Sequence, residues 1–388
     1  MASVTTPGNV EFITTPDRLE ALCDTLVNEP FYAIDTEFHR ERTYWPKLAL
    51  LQFGWADQVA LVDPLAVDPV GLSRLFASDA VAVAHAAEQD LGILMSATGV
   101  VPATVFDTQI AAGFLGMSSP SLSRLVDALL GISLPKTDQL SDWLVRPLPA
   151  SQLTYAASDV EHLLTLRSVM VSRLEQRGRL AWALEECARA RQSTRTELIL
   201  DQCWWKVGDV RRLSGQARGV AQAVAAWREE RSMAVDRPRR SVLPDLAIIT
   251  IAQRPPRNRN DLEKLRGVES RYLAKGAAEE ILAAVERGRS LDPEALQLPP
   301  DVNDHRANQS AVAVCSGLVR QLAEENDLDQ GLLANRAEIA SLVLGEPSRL
   351  DDGWRREIAG DQLRRWLNGD ATVAFEKGNR LVLEPRRS

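Results

Sequence analysis

Only four cysteines occur in 388 residues: Cys23, Cys187, Cys203 and Cys315. None forms a CxxC pair, and their separations fit neither a zinc-ligand cluster nor a disulfide framework, so a reducing compartment is the natural setting. Aromatic residues make up just 5% of the chain. No apolar run approaches the ~18 residues a membrane span requires. The first basic residue, Arg18, comes too late to head a signal peptide, so a cytoplasmic protein without a membrane partner is expected. A GxxxxGKS or GxxxxGKT phosphate loop is also missing, which argues against an ATP-driven motor.

What is present suits ordinary globular domains: 45% hydrophobic and 25% charged residues. At roughly 150 residues per domain the length implies two or three of them. The net charge of -8 is unevenly spread. Residues 1–200 hold 15 Lys and Arg against 24 Asp and Glu, whereas residues 201–388 hold 30 against 29. An acidic half is usually a solvated surface, but it also fits a carboxylate-lined metal site.

From residue 31, short apolar runs (FYAI, LALLQFGW, QVALV, VAVAHAA, VVPATVF) alternate with helical patterns, which predicts an α/β domain. The second and third runs flank Ala56-Asp57 closely enough for an antiparallel hairpin, while later strands follow helices at about 70–77 and 88–97 and should be parallel crossovers. A mixed sheet is expected. Beyond residue 151 the chain reads as helix, with Arg173, Arg177 and Arg179 closing the segment that starts at Ser151. A second, all-helical domain begins near Val210, and LDPEALQLPPDVND reads as a linker to a third helical unit whose tail, TVAFE and RLVLEP around KGN, predicts a hairpin.

Asp35 and Glu37 follow the apolar strand FYAI two residues apart, so on an extended backbone both carboxylates share a face. Desolvating such a pair is costly, and a divalent cation is one compensation. Asp90 lies at the start of a helix after a buried strand, where α/β sheets place ligands, although an acid there is also a favourable dipole partner. Asp107, before TQIAAG, reads as a helix cap. Tyr155 and Asp159, four apart on a helix, share a face.

In this order, the segments FYAIDTEFHRERTYWPKLALLQ, HAAEQDLGIL, FDTQIAAGFLG, KTDQLSDWLVRPL and LTYAASDVEHLL resemble ribonuclease D, a DEDD-type 3′-to-5′ exonuclease with a ribonuclease-H-like sheet. WREERSMAVDRPRRSVLPDLAIITIAQRPP with DLEKLRGV resembles the helical HRDC nucleic-acid-binding domain. The resemblance implies an α/β ribonuclease-H-like mixed-sheet exonuclease domain at 1–205, an HRDC domain at 206–292 and a second HRDC-like helical domain at 303–388, from whose all-helical pattern the C-terminal hairpin departs. It also implies that Asp35, Glu37, Asp90 and Asp159 hold two divalent ions, Mg²⁺ or Mn²⁺, and that Tyr155 is the catalytic tyrosine of the tyrosine subclass. An ordinary phenol, with pKa ~10, is a poor base at neutral pH, so the expected role of Tyr155 is to orient water. The implied reaction is hydrolysis of RNA from its 3′ end to nucleoside 5′-monophosphates, with tRNA precursors carrying 3′ extensions as partners. A 3′-to-5′ DNA exonuclease and a non-catalytic RNA-binding adaptor are the alternatives.

Nucleic-acid contacts are expected in two places. HRERTYWPK interleaves Arg40 and Arg42 with Tyr44 and Trp45, a mixture suited to stacking a base and meeting phosphates, and Lys136 could face the same backbone. Arg237, Arg239, Arg240, Arg254, Arg257 and Arg259 are opposed by only Asp245 across positions 237–259, which is the footprint of an RNA-binding patch or of a solvated loop.

Overall fold

A computed structural model describes residues 10–134, 141–193, 198–298, 308–376 and 380–386. These residues form two compact units. The first contains residues up to 37, 48–195 and 302–388; the second contains 38–47 and 196–301.

The core of the first unit is a six-stranded mixed sheet in the order β1-β4-β3-β2-β5-β6, formed by β1 (Val10–Ile13), β2 (Phe31–His39), β3 (Lys47–Trp55), β4 (Gln58–Val62), β5 (Val81–Ala84) and β6 (Thr104–Asp107). β3 and β4 pair antiparallel through the tight turn expected at Ala56-Asp57, and β5 runs parallel to both β2 and β6. The central strands are apolar on both faces because both are covered, as the near-continuous burial of β3 shows. β1, a four-residue edge strand paired parallel to β4, lies upstream of the run at which the sequence pattern begins.

The helical stretch after residue 150 is broken into α3 (Ala150–Glu161), α4 (Leu163–Gln176) and α5 (Leu180–Ser193); α1 (Glu88–Thr98) and α2 (Thr108–Gly113) follow β5 and β6. The stop before α5 is Gly178, whose φ of +66° only glycine adopts readily; the Arg179 N–H reaches back to the Leu174 carbonyl at 2.8 Å to close the helix end. Gly54 lets α3 lie close against the sheet, since a Cβ there would stand 3.0 Å from the Val160 carbonyl.

The third helical stretch is part of the first unit and does not form a compact unit of its own. One continuous core runs from Ala33 and Leu50 through Phe114 and Leu166 to Val312, Leu333 and Trp354. The reason lies in the surface that α2 and α5 present. Gly113 has no side chain to obstruct Leu332, and its carbonyl accepts the Asp329 N–H at 2.8 Å. Arg179 donates to the carbonyls of Phe114 and Asp327, both at 3.0 Å. Trp354 stacks on Trp182 and meets Phe114 edge-on. Arg355 and Glu186, 2% and 5% exposed, form an ion pair at 2.6 Å. The expected terminal hairpin is present as β7 (Ala371–Glu376) and β8 (Arg380–Pro385).

The second unit is helical, with α6 (Gln216–Ala234), α7 (Asp245–Gln253) and α8 (Ala277–Ser290) around Trp204, Trp227, Ile248 and Ile281. α6 and α8 touch backbone to backbone at Gly219 and Gly288, where a Cβ on either would approach the other helix to 2.5 Å. No described helix is long and apolar enough to cross a membrane.

Candidate active site

β2 leaves the sheet interior with Asp35 and Glu37 on its last half, and α3 brings Asp159 to them. One carboxylate oxygen from each of the three lies within 4.8 Å of the others. The two-residue spacing on the strand and the helix crossing over it produce this convergence, in line with the sequence reading of both pairs. Asp90, in the first turn of α1, stands beside the trio. Its Oδ1 accepts the Thr36 hydroxyl, and its charge raises the pKa of both Asp35 and Glu37.

Crowding and burial hold all four acids above the ordinary carboxylate range. Asp35 is raised well above its ordinary value, by burial and then by Asp90, Asp159 and Glu37. Glu37 is pushed up to about 8 by burial and by Asp159 and Asp90. Burial takes Asp159 to about 7 against the pull of a hydrogen bond from the Tyr155 hydroxyl, and takes Asp90 to about 6 against the Thr36 hydroxyl. Tyr155 therefore sits one helical turn from Asp159 and bonded to it. Its ring lies 6.1 Å from that of the buried Trp143. The donor set is all carboxylate oxygen, which fits a divalent cation.

The arrangement predicts an unusual pH response. A carboxyl whose pKa is higher folded than unfolded favours the folded state below its unfolded pKa, and that advantage is lost as pH rises through the folded value. With chelator present, the melting temperature should therefore fall between pH 5 and pH 8, and divalent metal should flatten the fall. Glu186 and Glu229, whose pKa values are lowered, act in the opposite sense but only in more acidic solution. The same slope in Asp35→Asn would place its origin elsewhere.

The other sequence candidates divide. Arg40, Arg42 and Trp45 are exposed in the β2–β3 connection, with Trp45 48% accessible. Tyr44 is committed to the second unit: its hydroxyl donates to Glu229, and the Arg239 guanidinium lies 5.1 Å from its ring centroid. Arg239 is likewise committed, bonded twice to the buried Glu229 at 2.5 Å. Glu229, 2% exposed, is the shared partner of both side chains, and Arg239 keeps an exposed face beside that pairing. Arg259 pairs with Glu263 at 2.9 Å. Arg237, Arg240, Arg254 and Arg257 are exposed and make no ion pair among the described residues. Lys136 lies outside the described residues.

Two residues that the sequence pattern did not single out serve the site. Thr36, between the two strand acids, holds Asp90. Arg146 grips Asp63 with two bonds at 2.7 Å and donates to the Trp143 carbonyl, which anchors the segment that packs against Tyr155.

A family profile described as 3′-5′ exonuclease matches residues 10–175, and the HRDC domain profile matches residues 217–285. Fold and site together thus define a 3′-5′ exonuclease domain joined to an HRDC domain. Ribonuclease D of Gluconacetobacter diazotrophicus is 36% identical over 358 residues, covering 90% of this chain and 91% of that protein. Ribonuclease D of Pseudomonas paraeruginosa is 34% identical over 371 residues, covering 93% and 98%. The crystal structure of Escherichia coli RNase D, an exoribonuclease involved in structured RNA processing, superposes with a TM-score of 0.84 at 29% identity, covering 93% of this chain and 99% of that one. The chain belongs to the ribonuclease D family and is a 3′-5′ exoribonuclease.

Proposed function

We propose that the chain hydrolyses RNA one nucleotide at a time from the 3′ end, releases nucleoside 5′-monophosphates, and trims tRNA precursors that carry 3′ extensions without consuming ATP. The convergence of Asp35, Glu37 and Asp159 carries this reading. Asp35, Glu37 and Asp159 would hold one Mg²⁺ or Mn²⁺, and Asp35 with Asp90 a second. When bound, such ions stabilise charge on the attacking and leaving oxygens of a phosphodiester. The protein's own share is positional. Tyr155, tied to Asp159, orients the attacking water, and the four carboxylates would hold the counter-charges to the reacting phosphate. Processing of structured RNA by the Escherichia coli relative supports the choice of substrate. The test is a 3′-end degradation assay on matched RNA and DNA strands, with and without metal, with products separated from 5′-monophosphate standards. Equal rates on DNA, or products other than 5′-monophosphates, would overturn it.

RNA is expected to be held partly by the exposed arginines of the second unit. Replacing Arg237, Arg240, Arg254 and Arg257 together by Ala should weaken binding to structured RNA. The log–log salt dependence should become shallower by roughly 0.7 to 0.9 for each phosphate that is no longer neutralised. Arg239→Ala should instead lower the stability of the unit, because it strands the buried Glu229. Salt titrations of RNA affinity in an Asp35→Asn background separate the two effects.

A further inference from the structure

We propose that Asp107 is a positioning residue for Asp90: it holds the turn that aims this carboxylate at the Asp35 cluster without itself meeting ion or substrate. The inference rests on the assignment of Asp90 to the ion-holding set.

Asp107 is the last residue of β6 and is paired in register with Ala84, the last residue of β5. Between Ala84 and Asp90 the chain makes a sharp turn. Ala86 adopts a φ of +56°, a left-handed conformation uncommon for alanine. Ala87 stands at the N-cap of α1, where its methyl group can accept no hydrogen bond. The missing acceptor comes from the neighbouring strand. The Asp107 carboxylate, 5% exposed, accepts the N–H of Ala86 at 3.1 Å and that of Ala87 at 2.8 Å. The same carboxylate caps α2 by accepting from Gln109 at 2.8 Å and Ile110 at 3.3 Å. Thr108 adds a second tie: its hydroxyl donates to the Ala84 carbonyl at 3.0 Å and lies 2.9 Å from the His85 Nδ1.

A buried carboxylate with four backbone N–H partners on two separate segments has no freedom left to act on a substrate. What it does is fix an otherwise unfavourable turn three residues before Asp90, whose other restraint is the Thr36 hydroxyl. Outer partners of this kind act by orienting a ligand, and their loss typically weakens metal binding by about 10- to 100-fold.

The test uses the full-length chain as wild type, Asp90→Asn, Asp107→Ala, Asp107→Asn and the double variant Asp107→Ala/Asp90→Asn. Each is titrated with Mn²⁺ while free ion is followed by EPR, and kcat and KM are measured on a short RNA. In Asp107→Ala one of two ions should bind about 10- to 100-fold more weakly, and kcat should fall with little change in KM. Asp107→Asn should recover part of both, since its amide oxygen can still accept from Ala86, Gln109 and Ile110. The double variant should be no worse than Asp90→Asn alone, because a residue acting only through Asp90 has nothing further to lose. Wild-type ion affinity in a folded Asp107 variant, or losses that add in the double variant, overturns the proposal. Should Asp107→Ala not fold, Asp107→Asn carries the same comparison. If Asp90→Asn itself keeps both ions at wild-type affinity, the assignment of Asp90 has failed, and the proposal falls with it.

Discussion

Asp35→Asn should reduce 3′-end cleavage by at least roughly three orders of magnitude, or ~4 kcal/mol of transition-state stabilisation, while leaving the fold intact. The substitution keeps the size of the side chain and removes only its charge. Burial raises the Asp35 carboxyl, and Asp90, Asp159 and Glu37 raise it further. Relieving that repulsion should make the metal-free variant at least as heat-stable as the wild type. The gain in melting temperature with Mn²⁺ should shrink, since one shared ligand is gone. Turnover close to wild type at saturating Mg²⁺ would falsify the assignment of Asp35 to the reaction.

The second large effect lies far from the chemistry in sequence. Arg355→Ala should lower the stability of the first unit by ~3–5 kcal/mol, the cost of stranding one member of a buried ion pair. Glu186 would be left 5% exposed with the Arg349 guanidinium at 3.3 Å as its remaining partner from the C-terminal stretch. The Arg355 bond to the Leu332 carbonyl and its packing over Trp354 would go as well. Denaturant unfolding measures the loss. Replacing both charges, Glu186→Leu with Arg355→Met, should restore most of it, because an apolar pair of similar volume carries no desolvation penalty. A loss below ~1 kcal/mol in Arg355→Ala would mean that water reaches Glu186.

The sheet and the acid trio were legible because each rests on a local period. Asp35 and Glu37 are two positions apart on a strand and Tyr155 and Asp159 four apart on a helix, and these offsets alone put each pair on one face. Asp107 was only half legible. An Asp before a helix signals a cap, and it is one. Its grip on Ala86 and Ala87 depends on the register of β6 against β5, a pairing no local pattern encodes. The partner of Arg239 was not legible for a related reason. Glu229 in WREERS reads as one more charge on a solvated helix, yet it is buried, and it takes up Arg239 and Tyr44. The C-terminal helices were legible as a helical stretch. Their partner was not, since the surface that receives them is made by two glycines and a tryptophan, Gly113, Gly116 and Trp182, each unremarkable in its own segment.

The interrupted course of the first unit has a consequence for its biosynthesis. Its sheet is complete once β6 has been made, but Trp354 and Arg355 follow Arg195, where that stretch of the unit closes, by more than 150 positions. At ~5–20 residues per second, a ribosome needs roughly 10–30 s to cover that distance. During this interval the second unit can fold, since both of its stretches have been made, whereas Phe114, Trp182 and Glu186 still lack Trp354 and Arg355 as partners. The nuclease half of the nascent chain is thus the later of the two to mature, although it is the earlier to be synthesised. Its exposed α2–α5 face is where a chaperone would be expected to hold it until the C-terminal helices arrive.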